Sequence, residues 1–140
     1  MMLVKANKES EAGVLPSKEL VAAMGKFNDE MAKAGVLLAA EGLHASAKGA
    51  RVKFSGRQRT VTDGPFAETK ELLAGFWLIR AKSKDEALDW ASRIPFTDGE
   101  QVEVRQVFEA SDFPPEILAP EDVPREQAWR DKQRRDTVKR

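Results

Sequence analysis

With 140 residues the chain fits one domain and leaves little room for a second. It has no cysteine and one histidine, which excludes a disulfide framework, a thiolate zinc site, an iron–sulfur cluster, a cysteine nucleophile and any centre built on several imidazoles. The 23 Lys+Arg balance the 23 Asp+Glu, so the surface as a whole is not a nucleic-acid footprint.

At 41% hydrophobic and 33% charged residues the composition is that of an ordinary soluble domain. No apolar run approaches the ~18–20 residues of a membrane span. Met1-Met2-Leu3-Val4-Lys5 lacks the basic and apolar regions of a signal peptide, so a cytoplasmic protein is expected. The charge balance hides an asymmetry. Residues 98–122 hold eight acids and one base, and residues 125–140 hold seven bases and three acids. Such runs read either as solvated surface or as a basic tail that docks on an acidic partner.

Leu3-Val4 begins a short strand that ends by Asn7, and residues 8–13 read as a polar loop. Pro16-Ser17 opens a helix in which Leu20, Met24, Phe27 and Met31 share one face, and Gly35 closes it. Val36–Ala40 is a buried strand. Residues 51–62 alternate, with Val52 and Phe54 on one side, Arg51 and Lys53 on the other, and Ser55-Gly56 as the turn of a hairpin. Asp63-Gly64-Pro65 is a second turn, and residues 68–73 suit one or two helical turns. Phe76–Ile79 is a central strand. Ser83 and Glu86 have the spacing of a capping box ahead of a helix whose apolar face is Ala87, Trp90, Ala91 and Ile94, with Pro95 as its stop. Gln101–Phe108 alternates as a last strand. Four prolines between 114 and 124 then mark a linker, and Pro124 can start a final helix over 125–137 that has almost no stripe beyond Ala128 and Trp129.

The order β-α-β-β-β-α-β, with the hairpin supplying the extra strand, predicts an α+β, ferredoxin-like split βαβ fold with an antiparallel sheet. Two amphipathic helices cover one sheet face. The strands at 36–40 and 76–79 are apolar on both sides, so a second copy is expected to cover the other face, sheet to sheet. The boundaries expected are a domain over 1–109 and a proline-rich linker with a basic tail over 110–140.

The residues with chemical promise cluster at 61–71, VTDGPFAETKE. Asp63 ends a strand before a Gly-Pro turn. Its carboxylate either caps that turn through the N–H of residue 66 or 67, or faces a cleft as a general base or ligand anchor. Phe66 and Lys70 flank it as candidate ligand contacts. His44, the one side chain that ordinarily titrates near neutrality, could form an acid/base pair with Asp63 if it lay within reach. No phosphate-cradling loop, nucleophile elbow or RNA-recognition signature is present, and neither a metal nor a cofactor is indicated.

The run at 61–71, with Glu41-Gly42-Leu43, Gly75-Phe76, residues 83–91 and Val102–Arg105, resembles the DGPF subfamily of the YCII-related proteins over about residues 1–118. The resemblance implies a ferredoxin-like chain whose two sheets pack in a dimeric α/β barrel. Related YCII proteins use a His/Asp pair in a cleft, and one relative eliminates chloride from a chlorinated aromatic. Asp63 matches the aspartate of that pair. Its histidine belongs on the first long helix, and residues 17–34 contain none; His44 lies elsewhere. Many subfamily members are encoded beside extracytoplasmic-function sigma factors. Two readings therefore stand together: a small homodimer that binds a small molecule near Asp63, with proton-transfer chemistry, and a non-enzymatic regulatory or interaction module linked to such a sigma factor.

Overall fold

The structure, a computed structural model, describes residues 1–138. It divides into two compact units, Met1–Val104 and a second that begins at Arg105. In the first, strands β1 (Met2–Lys5), β2 (Leu37–Gly42), β5 (Leu73–Ile79) and β6 (Val102–Val104) form an antiparallel sheet in the order β2-β5-β1-β6. Helices α2 (Lys18–Lys33) and α3 (Lys84–Ser92) make the two crossovers, so the fold is ferredoxin-like α+β.

Local chemistry sets the helix ends. Ser17 Oγ accepts the Leu20 N–H at 3.1 Å and starts α2. Gly35, at φ +73°, stops it: the Gly35 N–H donates to Ala32 O and the Val36 N–H to Met31 O, a full Schellman closure. Ser83 Oγ caps α3 through the Glu86 N–H at 3.1 Å. Glu86 reaches back one residue further than expected, accepting the Lys82 N–H at 2.7 Å instead of that of Ser83.

The core lies between the helices and one sheet face. Met2, Phe27, Met31, Val36, Trp77, Trp90 and Ile94 are buried together. Phe27 meets Trp77 edge-on, with ring centroids 5.8 Å apart, and Trp90 at 6.3 Å. The Trp77 indole N–H donates to Asn28 Oδ1 at 2.8 Å, which satisfies the polar edge of a ring that is otherwise packed among apolar groups. Alternation turns Leu3, Phe76 and Leu78 to the opposite face, where they are half-buried, Leu3 paired in register with Phe76.

Four sequence expectations are corrected. Residues 8–11 are helical (α1, Lys8–Glu11), because Asn7 and Ser10 cap each other: Asn7 Oδ1 accepts the Ser10 N–H and Ser10 Oγ the Asn7 N–H. The last strand stops at Val104, not Phe108. Its final residue, Val104, lies opposite Met2, the first residue of β1. The hairpin, β3 (Ala50–Ser55) and β4 (Gln58–Asp63), is a two-stranded sheet of its own and not an extra strand of the main one. Linkers at 43–49 and 64–72 hold it off, and Pro65, without an N–H, cannot extend the ladder.

The fourth correction concerns the second unit, where α4 (Val123–Val138) starts two residues earlier than expected. Trp129 is 56% exposed. The anchor is Arg130, whose Nη1 donates to Phe108 O at 2.7 Å beside the Phe108–Phe113 ring contact. Ion pairs Arg130–Glu126 and Arg125–Asp122 line the helix. Among the described residues no helix is long and apolar enough to cross a membrane.

Candidate functional site

Asp63 is the last residue of β4, opposite Ala50. Gly64-Pro65, joined by a cis peptide bond, turns the chain away from the ribbon. Three elements distant in sequence hold this turn. The Gly64 N–H donates to Gly49 O at 2.9 Å. The Phe66 N–H donates to Ser46 Oγ at 3.1 Å. Ser46 in turn gives its N–H, at 3.0 Å, and its hydroxyl proton to the two carboxylate oxygens of Glu11. A bidentate carboxylate acceptor makes these charge-assisted bonds, stronger than neutral ones. The Ser46 hydroxyl, donor and acceptor at once, is the hub. On the other side the Arg51 guanidinium lies 3.8 Å above the half-buried Phe66 ring.

Gly64 has no positive φ, so conformation is not what requires glycine there. Space is: any Cβ would overlap the Ser46 carbonyl. The DGPF turn is thus packed backbone to backbone against residues 46–47.

The sequence-derived site residues are placed as follows. Asp63 is exposed, and among the described residues its carboxylate makes no hydrogen bond or ion pair. It does not cap its turn through the Phe66 N–H, because Ser46 Oγ takes that donor. His44 is exposed just beyond β2 and is not hydrogen-bonded to Asp63. Lys70 sits exposed in a 3₁₀ turn, Thr69–Glu71. Phe66 serves as a platform for Arg51 and as a backbone donor to Ser46. Among the described residues no group of three His, Asp or Glu side chains could hold a metal ion.

Sequence reading missed Glu11, Ser46 and Arg51. Arg51 was legible, since alternation puts it beside the ribbon's polar face. Glu11 and Ser46 carried no local signal, for they lie 35 residues apart and meet only in three dimensions.

The family model for the YCII-related domain matches residues 1–111, which takes in the main sheet, the crossover helices α2 and α3 and the whole Asp63 turn. The chain belongs to the YCII-related family. This YCII-related chain is also 34% identical over 112 residues to an uncharacterised protein of Rhizobium meliloti (strain 1021), an alignment that covers 77% of the chain and 86% of the relative.

Proposed function

We propose that this YCII-related chain is of the DGPF type, works as a homodimer in the cytoplasm, and binds a small molecule at Asp63, whose carboxylate accepts a proton from it. The observation that carries this reading is a contrast within one turn. Glu11, Ser46, Gly49 and Arg51 fix the residues after Asp63 through hydrogen bonds and a stacked cation, while the Asp63 carboxylate itself is exposed and unengaged. A carboxylate held on a rigid support with its acceptor oxygens free is organised to meet something else. No cofactor is part of the reading. The half-exposed Leu3, Phe76 and Leu78 on the open sheet face support the homodimer.

The test is a thermal-shift screen of small organic acids and phenols, run in parallel on the wild type and on Asp63→Asn. Compounds that stabilise the wild type are expected to leave Asp63→Asn unshifted. Equal shifts in both proteins would sink the reading. Light scattering at micromolar concentration tests the dimer, and a monomer mass removes it.

One observation favours a second reading, a regulatory module that engages an extracytoplasmic-function sigma factor. The second unit presents a charged helix with Trp129 exposed and no apolar stripe for packing. Removal of residues 119–140 is then expected to abolish co-purification with such a sigma factor, and unchanged co-purification would refute the tail's role.

A further inference from the structure

The Asp63 carboxylate stands at one end of a patterned face of the β3–β4 ribbon. Register sets Ala50 opposite Asp63, Val52 opposite Val61 and Phe54 opposite Arg59. Directly opposed residues point to the same side, and alternate positions along a strand share it. The face therefore has three rows: Ala50–Asp63 at the base, Val52–Val61 in the middle, Phe54–Arg59 toward the turn. Val52, Phe54 and Val61 are 51%, 69% and 65% exposed. One acid and one base stand at opposite ends of this face, with apolar side chains between them.

Arg59 is held in place by its own ribbon. Its Nη1 donates to the carbonyls of Gly56 at 3.1 Å and Gln58 at 2.9 Å, and its guanidinium lies 4.4 Å from the centre of the Phe54 ring. Those bonds use the Nη1 corner alone. The Nε–Nη2 edge, which can take a carboxylate with two parallel N–H bonds, has no partner among the described residues. At the other end Ala50 sets only a methyl group beside Asp63, so the carboxylate stays open. The stacked Phe54 and Arg59 rise above the two valines. The face is a shelf with a wall at its turn end.

We propose that the molecule bound at Asp63 is an apolar organic anion that lies along this shelf. Its proton-donating end meets Asp63, its ring rests on Val52 and Val61, and a carboxylate at its far end is received by Arg59. This ligand class rests on the Asp63 reading above and narrows it, with Arg59 as the residue that sets specificity. The dimensions agree: four residues of β4 separate Asp63 from Arg59, about 13 Å at the strand rise, room for a ring and a short chain between the two polar groups. Charge sets the direction. A ligand carboxylate turned toward Asp63 would meet a like charge, and one turned toward Arg59 meets an opposite one. An apolar bed with a few polar groups at fixed positions is the ordinary make-up of a small-molecule site.

Three probes separate the contributions. 4-Hydroxycinnamate has a phenol at one end and a carboxylate at the other, its methyl ester lacks the charge, and 4-methoxycinnamate lacks the acidic proton. Each is titrated into the full chain, and binding is read from the methyl resonances of Val52 and Val61. The wild type is expected to bind 4-hydroxycinnamate about fivefold more tightly than the ester, the upper end of what an exposed ion pair supplies. Arg59→Gln is expected to bring the acid down to the affinity of the ester and to leave the ester unchanged. Asp63→Asn is expected to bring 4-hydroxycinnamate down to the affinity of 4-methoxycinnamate and to leave the latter unchanged. Equal binding of acid and ester by the wild type, or an Arg59→Gln loss that both share, overturns the role of Arg59. If Asp63→Asn still discriminates the phenol in that case, the Asp63 reading stands without it. An Arg59 effect with no Asp63→Asn effect supports the anion anchor and refutes the Asp63 reading. No shift with any probe at millimolar concentration overturns the ligand class and leaves the shelf to a protein surface.

Discussion

A methyl group at Gly64 is expected to detach the turn that carries Asp63 from the rest of its unit. In Gly64→Ala the new Cβ would overlap the Ser46 carbonyl oxygen and lie 2.5 Å from its carbon. Both obstacles are backbone, so no rotamer change relieves them. Carbon contacts are comfortable from about 3.5 Å and the oxygen overlap is tighter still, so Gly64 and Ser46 must part by at least ~1 Å. That movement breaks the Gly64 N–H bond to Gly49 O at 2.9 Å and the Phe66 N–H bond to Ser46 Oγ at 3.1 Å, and it lifts Phe66 from Arg51. Two hydrogen bonds at ~1 kcal/mol each and an exposed cation–π contact at ~0.5–1 kcal/mol total about 2–3 kcal/mol. Urea unfolding followed by tryptophan fluorescence reads this loss, because Trp77 and Trp90 are buried in the core. With an m-value of about 1–3 kcal/mol/M, the midpoint is expected to fall by about 1 M or more. A variant within ~0.5 kcal/mol of the wild type, with an unchanged exchange rate for the Phe66 amide, would refute the close-packing argument.

Two further substitutions bracket that one. Gly25, inside α2, has nothing within 4 Å of the place a methyl group would take, so Gly25→Ala is expected to raise stability by ~0.5–1 kcal/mol in the same titration. Met31 is fully buried against Phe27 and the tryptophans, so Met31→Ala is expected to cost ~2–5 kcal/mol and to lower the midpoint of thermal unfolding, which calorimetry would record.

The helical period of Leu20, Met24, Phe27 and Met31 identified the buried side of α2, because helix geometry places such residues on one face whatever they pack against. Phe27 and Met31 are indeed buried, and Met24 packs at the edge of the core. Ser17, Gly35 and Ser83 were readable as end signals for a similar reason: a cap acts within four residues of itself. The Asp63 turn was conspicuous by its composition. What it rests on was not, since Glu11 and Ser46 are an ordinary surface glutamate and serine until the fold brings them together.

By itself, then, the sequence determined the order of elements, their inward faces, most of their ends, and the absence of cysteine and multi-histidine chemistry. All of these follow from interactions between residues close in the chain or from plain counting. Tertiary structure decided the rest. It placed β1 between β5 and β6, ended the last strand at Val104 opposite Met2, and separated the ribbon from the main sheet. It also took the Phe66 amide from Asp63 and gave it to Ser46, so that the carboxylate stands free. These outcomes depend on which groups meet from 20 or more positions apart in the chain, and a local pattern carries no record of that meeting.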